Sequence, residues 1–158
     1  MNITRRLETP ADEPFLRDLI VATIAIELGA EAWPEPMRNH LLEVQYRGRR
    51  HADHAKAPAS KSYIIVCDSR DCGWLLMAGD ASFSHIVEIM IAPAFRGQGI
   101  GSEMLRGLMD EAKRDGIPLQ LTVNKNNVNA RRLYTRLGFK VTGDDEVQFS
   151  MEFSAVEA

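Results

Sequence analysis

Apolar residues recur along this chain at two periods, and the changes between them mark out a series of helices and strands. Phe15, Leu16, Leu19, Ile20 and Ile24 form a helical stripe behind Thr9-Pro10-Ala11-Asp12, which offers an N-cap, a proline at the first helical position and an acid at the third. A first helix is predicted from about residue 10 to 28, after a short N-terminal strand. Gly29 to Pro36 breaks the pattern, and Met37, Leu41, Leu42 and Val44 start a second helix. Strands are predicted at 62–67 and 73–78, and Gly79-Asp80 then turns toward the apolar run Ile86-Val87-Glu88-Ile89-Met90-Ile91-Ala92, which Pro93 stops. Ile100, Met104, Leu105, Leu108, Met109 and Ala112 give a strongly amphipathic helix closed by Gly116 and Pro118. A strand at 119–123, a helix after Asn127 and two closing strands around Gly143-Asp144-Asp145 complete the pattern, with Val147, Phe149, Met151 and Phe153 alternating as one buried face. Strands and helices share one layer system, so the class is α/β (α+β).

Chemistry concentrates where the 86–92 strand meets the amphipathic helix. Arg96-Gly97-Gln98-Gly99-Ile100-Gly101-Ser102 places three glycines at that junction. Glycine tolerates positive φ and lets a ligand approach the main chain. The unpaired N–H groups and positive dipole end of the helix start attract an anion. Gly101 is followed by Ser-Glu rather than Lys-Ser/Thr, which excludes a P-loop, and the glycine spacing is not that of a dinucleotide-binding turn. A different phosphate ligand is implied.

The second motif runs Asn127-Val128-Asn129-Ala130-Arg131-Arg132-Leu133-Tyr134-Thr135-Arg136-Leu137-Gly138-Phe139. Arg-x-x-Gly-x-Gly at 96–101 followed by Asn-x-x-Ala-x-x-Leu-Tyr-x-x-x-Gly-Phe at 127–139 resembles the GNAT superfamily of acyl-CoA N-acyltransferases, most tightly over residues 86–140. The resemblance implies a mixed, mostly antiparallel sheet of about six to seven strands flanked by about four helices, splayed between its fourth and fifth strands. It also implies acetyl-CoA as cosubstrate, with no metal. The pyrophosphate would rest on main-chain N–H groups of the loop Arg96, Gly97, Gln98, Gly99, Ile100, Gly101 and Ser102. Pantetheine would lie along Ile89, Met90 and Ile91 like an added strand, touching Asn127 and Tyr134.

The expected reaction is direct attack of an amine on the thioester, with no cysteine nucleophile. Tyr134 is the expected general acid for the leaving thiolate, and the Ile91 N–H the expected carbonyl polariser. Thr122 stands where many relatives carry a carboxylate, which leaves Glu88 as the expected base, directly or through water, with His85 in reserve. Strand alternation puts Glu88 with Met90 and Ala92, and His85 with Val87, Ile89 and Ile91, unless a bulge reverses the register. Each residue also has an ordinary structural alternative: Tyr134 as core, Glu88 as an arginine's partner, Asn127 as an N-cap. The region between the first two helices borders the acceptor in the family, so Glu31, Trp33 and Glu35 are candidates to meet a cationic amine.

Composition adds limits. The 158 residues, 45% of them hydrophobic, suffice for one core, no linker or repeat divides them, and a single domain over 1–158 is expected. No apolar stretch reaches membrane-spanning length and Met1 to Arg6 lacks a signal-peptide core, which gives a cytoplasmic expectation. The net charge of −3 gives no drive toward nucleic acid, although Arg47 to Lys56 is locally basic. There a solvated helix face is the ordinary reading, against metal ligation by His51, Asp53 and His54 or docking of an acidic or RNA acceptor. Cys67 and Cys72 are expected as free thiols, and exposed strand edges late in the chain leave a homodimer open. The resemblance implies a small-molecule or peptide amine as acceptor, without membrane involvement; a non-catalytic acyl-CoA-binding module is the alternative.

Overall fold

The computed structural model describes residues 1–56 and 60–154, and the side chains of residues 31 and 52–56 fall outside that description. Seven strands, β1 (Ile3–Leu7), β2 (Lys61–Cys67), β3 (Arg70–Gly79), β4 (Ser84–Ile91), β5 (Leu119–Asn124), β6 (Lys140–Asp144) and β7 (Gln148–Phe153), form one sheet in the order β1-β2-β3-β4-β5-β7-β6. Four helices accompany them: α1 (Glu13–Leu28), α2 (Met37–Lys56), α3 (Ile100–Asp115) and α4 (Val128–Leu137). Among the described residues only β4 and β5 pair in parallel, with α3 as the crossover between them; every other ladder is antiparallel. This is the mixed sheet that the resemblance implied. Among the described residues, no helix is long and apolar enough to cross a membrane.

Each sheet face has its own apolar cluster. Ile100, Met104, Leu105, Leu108 and Ala112 of α3 bury against Ile65, Leu75, Ile86, Leu121 and Phe139 on one face. Leu16, Leu19, Ile20 and Ile24 of α1, with Leu42 and Tyr46 of α2, bury against Ile64, Trp74, Leu76 and Met90 on the other.

The first helix differs from expectation in starting as a 3₁₀ turn, Pro10–Asp12. The Thr9 N–H donates to Asp12 at 2.7 Å, and the Arg6 fork donates to the same carboxylate at 2.8 and 2.9 Å. In α2 only Leu42 of the four expected apolar positions is buried; Met37, Leu41 and Val44 face outward, and Tyr46 takes the inner face with Leu42. Val147 likewise lies outside β7 and is exposed, while Met151 is buried and Phe149 and Phe153 pack beside it. Cys67 and Cys72, either side of a turn whose Asp68 and Ser69 have positive φ, are free and buried; burial, then the neighbouring Cys67, pushes the Cys72 thiol up to about 11.

One irregularity in the sheet matters most for function. The β3–β4 register passes from Leu76↔Glu88 to Met77↔Ile86, so Val87 is an extra residue in β4. Ile86 therefore packs under α3, Val87 packs on the α1/α2 side, and Ile89 and Ile91 return to the α3 side. The bulge thereby cancels simple alternation along the strand. Counting outward from it, His85 and Glu88 share the α1/α2 side, rather than opposite sides as unbroken parity requires.

Candidate active site

The parallel ladder between β4 and β5 is short: Ser84↔Leu119, His85↔Gln120 and Ile86↔Leu121, and then the strands part. The Ala92 N–H donates to the Cys72 carbonyl at 2.8 Å, so alternation turns the main chain of Met90 to β3 and that of Ile89 and Ile91 toward the opening. A cleft of about 640 Å³ fills this opening, lined by main chain and side chains from Ile86 to Met90 and Leu121 to Asn124, with Asn127, Tyr134, Thr23, Glu27 and Arg49.

The glycine loop follows the end of β4 but does not itself line the cleft, and neither does Ile91; the loop reaches the cleft wall only through Arg96, which bonds the lining residue Thr23. A 3₁₀ turn at Pro93–Phe95 leads into Gly97 (φ +76°) and Gly99 (φ +81°), both left-handed, and Gly99 is the N-cap of α3. Beyond the Cβ positions of both glycines lies open space, and no side chain caps the helix. The first backbone bond back to the cap is Glu103 N–H to Gly99 O, 3.0 Å, so the N–H groups of Ile100, Gly101 and Ser102 have no intrahelical acceptor. These amides and the helix dipole form a site that suits an anion. Ile100 anchors the turn, 1% exposed in the core, and the Gln98 amide reaches Ala94 O at 3.5 Å. Arg96 is exposed, yet its Nε donates to Ile91 O at 2.8 Å and its Nη2 to Thr23 Oγ1 at 3.3 Å, fastening the end of β4 to α1.

Across the opening, Asn127 caps α4 by accepting the Ala130 N–H at 3.2 Å and also lines the cleft, so capping and a place in the cleft coincide. Tyr134 stands two turns further on. Its ring meets Phe139 edge-on at 5.9 Å, and among the described residues its hydroxyl has no hydrogen-bond partner. Burial, then the negative charge of Glu88, raises its pKa above the ordinary phenol value.

Glu88 is not isolated on its strand. Arg49 of α2 grips it through Nε (3.2 Å) and Nη2 (2.9 and 3.2 Å), and extends Nη1 to Glu27 of α1 at 3.0 Å. The structural alternative for Glu88, an arginine's partner, is thus realised inside the cleft. Sequence reasoning missed Glu27 and Arg49 as cleft residues. Glu27 lies off the apolar stripe that marks α1 and carries no motif, and Arg49 belongs to the basic run of α2.

That run is not simply a solvated face. Arg49 enters the cleft, Arg50 stacks over the Trp74 ring at 5.5 Å, and Arg47 pairs with Glu43 at 2.9 Å. The metal reading of His51, Asp53 and His54 falls partly outside the described residues, as does the side chain of Glu31. Among the described residues, no group of three His, Cys, Asp or Glu side chains is arranged for a metal. Trp33 packs against the α1/α2 cluster, Glu35 pairs with Arg38, and neither lines the cleft; nor does His85, whereas Thr122 does.

Comparison with known proteins agrees with this geometry. The model of the acetyltransferase (GNAT) family matches residues 25–139. An aminoalkylphosphonate N-acetyltransferase of Salmonella typhimurium is 39% identical over 136 residues, 85% of this chain and 83% of the relative. A peptidyl-lysine N-acetyltransferase, YjaB, of the same organism is 34% identical over 91 residues, 57% of each. An uncharacterized N-acetyltransferase of Methanocaldococcus jannaschii is 35% identical over 78 residues, 49% of this chain; the chain spans only 33% of that relative and about half of several others. Among solved structures, the PaiA N-acetyltransferase of Thermoplasma acidophilum, in complex with coenzyme A, shares the fold with a TM-score of 0.71 at 19% identity, covering 98% of this chain and 99% of that one.

Proposed function

We propose an activity for a chain that belongs to the acetyltransferase (GNAT) family: as a single domain it transfers the acetyl group of acetyl-CoA to a primary amine, by direct attack and without an acyl-enzyme. One observation carries the reading. β4 leaves the ladder at Ile86; the α3 start that follows the strand has no side-chain cap, and the Tyr134 hydroxyl lining the opening has no hydrogen-bond partner among the described residues. A phosphate-bearing arm with amide groups fits that edge, because Ile89 presents its main-chain donor and acceptor, and Ile91 its N–H, as a strand edge does, while Arg96 holds the Ile91 carbonyl.

Acetyl-CoA supplies the acetyl group as a thioester. The amides of Gly97 to Ser102 hold its pyrophosphate, Ile89, Met90 and Ile91 line its pantetheine arm, and Asn127 contacts the arm beside them. Arg96 fixes the end of β4, so that the Ile91 N–H stays aimed into the opening. The incoming amine loses its proton to Glu88, directly or through one water, and Tyr134 gives its own proton to the departing thiolate sulfur. A raised phenol pKa suits that role, since the proton is in place throughout the neutral range. Relatives named for aminoalkylphosphonates and for peptidyl-lysine share the amine as acceptor group.

Calorimetric titration with acetyl-CoA tests the reading, with Gly99→Trp as control. A Cβ at Gly99 meets nothing within 4 Å in the free protein, so the expected cost to folding is about 1–2 kcal/mol for a left-handed non-glycine residue, and the indole is expected to block the anion site. Saturable binding by the wild type and none by a folded Gly99→Trp is the expected result. Equal binding by both removes the loop from the site, and no binding by the wild type removes acetyl-CoA.

A further inference from the structure

Three charged side chains line the cleft among its described residues: Glu27, Arg49 and Glu88. Arg49 spends Nε and Nη2 on Glu88 and Nη1 on one oxygen of Glu27, Oε2. The other oxygen of Glu27 has no partner among the described residues, and the side chain is 52% exposed at the cleft mouth. Glu27 also lies in the last turn of α1, a turn without a basic residue, where the helix dipole adds negative potential.

From this arrangement we infer that Glu27 is the anchor for the acceptor's ammonium group, and that it selects amines with no anionic group beside the reacting nitrogen. The inference rests on the acetyl-transfer reading above. Among the described side chains that line the cleft, two carboxylates and one guanidinium sum to −1, which a single ammonium neutralises. An acceptor carrying a carboxylate or phosphonate a few bonds away restores the excess negative charge, and Arg49, already committed to both glutamates, has no fork left to receive that group. The selection acts at docking, so it belongs in KM rather than kcat.

Two probes of equal chain length isolate the effect: n-butylamine and 4-aminobutanoate, each with saturating acetyl-CoA at low ionic strength. The expected wild-type kcat/KM favours n-butylamine by about tenfold or more. In Glu27→Gln, whose amide oxygen still accepts the Arg49 Nη1 bond, the preference falls to about threefold or less. That fall comes from a raised KM for n-butylamine, with kcat nearly unchanged. Equal rates with the two probes in the wild type, or an unchanged ratio in Glu27→Gln, overturn the assignment. Acetyl-CoA binding without acetylation of either probe also overturns it, while leaving the cofactor reading intact. Failure to bind acetyl-CoA at all fells the acetyl-transfer reading and this one with it.

Discussion

Replacing Tyr134 by Phe separates catalysis from packing, because the structure gives the ring and the hydroxyl different work. The ring packs edge-on against Phe139 at 5.9 Å, and Phe at this position keeps that contact. The hydroxyl has no hydrogen-bond partner among the described residues, so its removal orphans no donor or acceptor, and unfolding free energy should change by no more than about 0.5 kcal/mol. Loss of a general acid, by contrast, typically costs about 10²- to 10⁴-fold, or about 2.7–5.4 kcal/mol of barrier. The pH profile adds a second signature. Burial and Glu88 raise the Tyr134 pKa above its unfolded value near 10, so the proton is held below that pH and leaves only at higher pH. Any stability linked to this group is likewise complete below about pH 10 and lost as pH rises through the folded value. Steady-state CoA release and urea unfolding, run on the same preparations, check both halves: kcat should fall while the unfolding midpoint stays. The alkaline limb of the wild-type profile should vanish in Tyr134→Phe. Wild-type turnover in the variant, or a loss of stability that accounts for the lost activity, refutes the reasoning.

Two further substitutions test the frame around the cleft. A Cβ at Gly73 meets Met90 O at 2.4 Å and the Cδ1 atoms of Ile91 and Ile65 at 3.1 and 3.3 Å, so Gly73→Ala should cost about 1–3 kcal/mol and push β4 toward the opening. A lowered urea midpoint together with weaker acetyl-CoA binding checks this, and an unchanged midpoint contradicts it. The Arg6 fork, aided by the Thr9 N–H, lowers the Asp12 carboxyl from 3.8 to about 2. The corresponding stability, about 1–2 kcal/mol after allowance for the half-exposed Arg6, is present above about pH 4 and lost as pH falls through about 2. The unfolding free-energy gap between wild type and Asp12→Asn should therefore be smaller at pH 3 than at pH 7, and a constant gap would count against it.

Elements whose pattern comes from their own sequence were legible. The stripe from Ile100 to Ala112 is the buried face of α3, and the turn that Gly97 and Gly99 make at positive φ is what three glycines between a strand and a helix imply. Asn127 was likewise readable, because a cap bonds within its own turn. Legibility failed where a position is decided by a partner distant in the chain. Met37, Leu41 and Val44 have helical spacing, yet the inner face of α2 is set by what α1 and Trp74 leave room for, namely Leu42 and Tyr46. Arg49 and Glu88 are 39 residues apart, and nothing local to either marks the pair.

The bulge at Val87 shows why the charged side of the cleft was the hardest part to read. An apolar run such as Ile86 to Ala92 specifies a buried strand but not its phase, since either face can be covered. One inserted residue settles the phase twice. Before it, Ile86 pairs with Leu121 and packs beneath α3; after it, Glu88 points to Arg49 and Glu27 while Ile89 and Ile91 keep the α3 core. The ladder to β5 ends at the same place, so a single local defect both opens the edge suited to the donor and turns the only carboxylate of the strand toward the side where α1 and α2 can present an acceptor. Donor edge and candidate base are therefore coupled by backbone geometry, which predicts that substitutions restoring a regular β3–β4 ladder would impair both functions together rather than either alone.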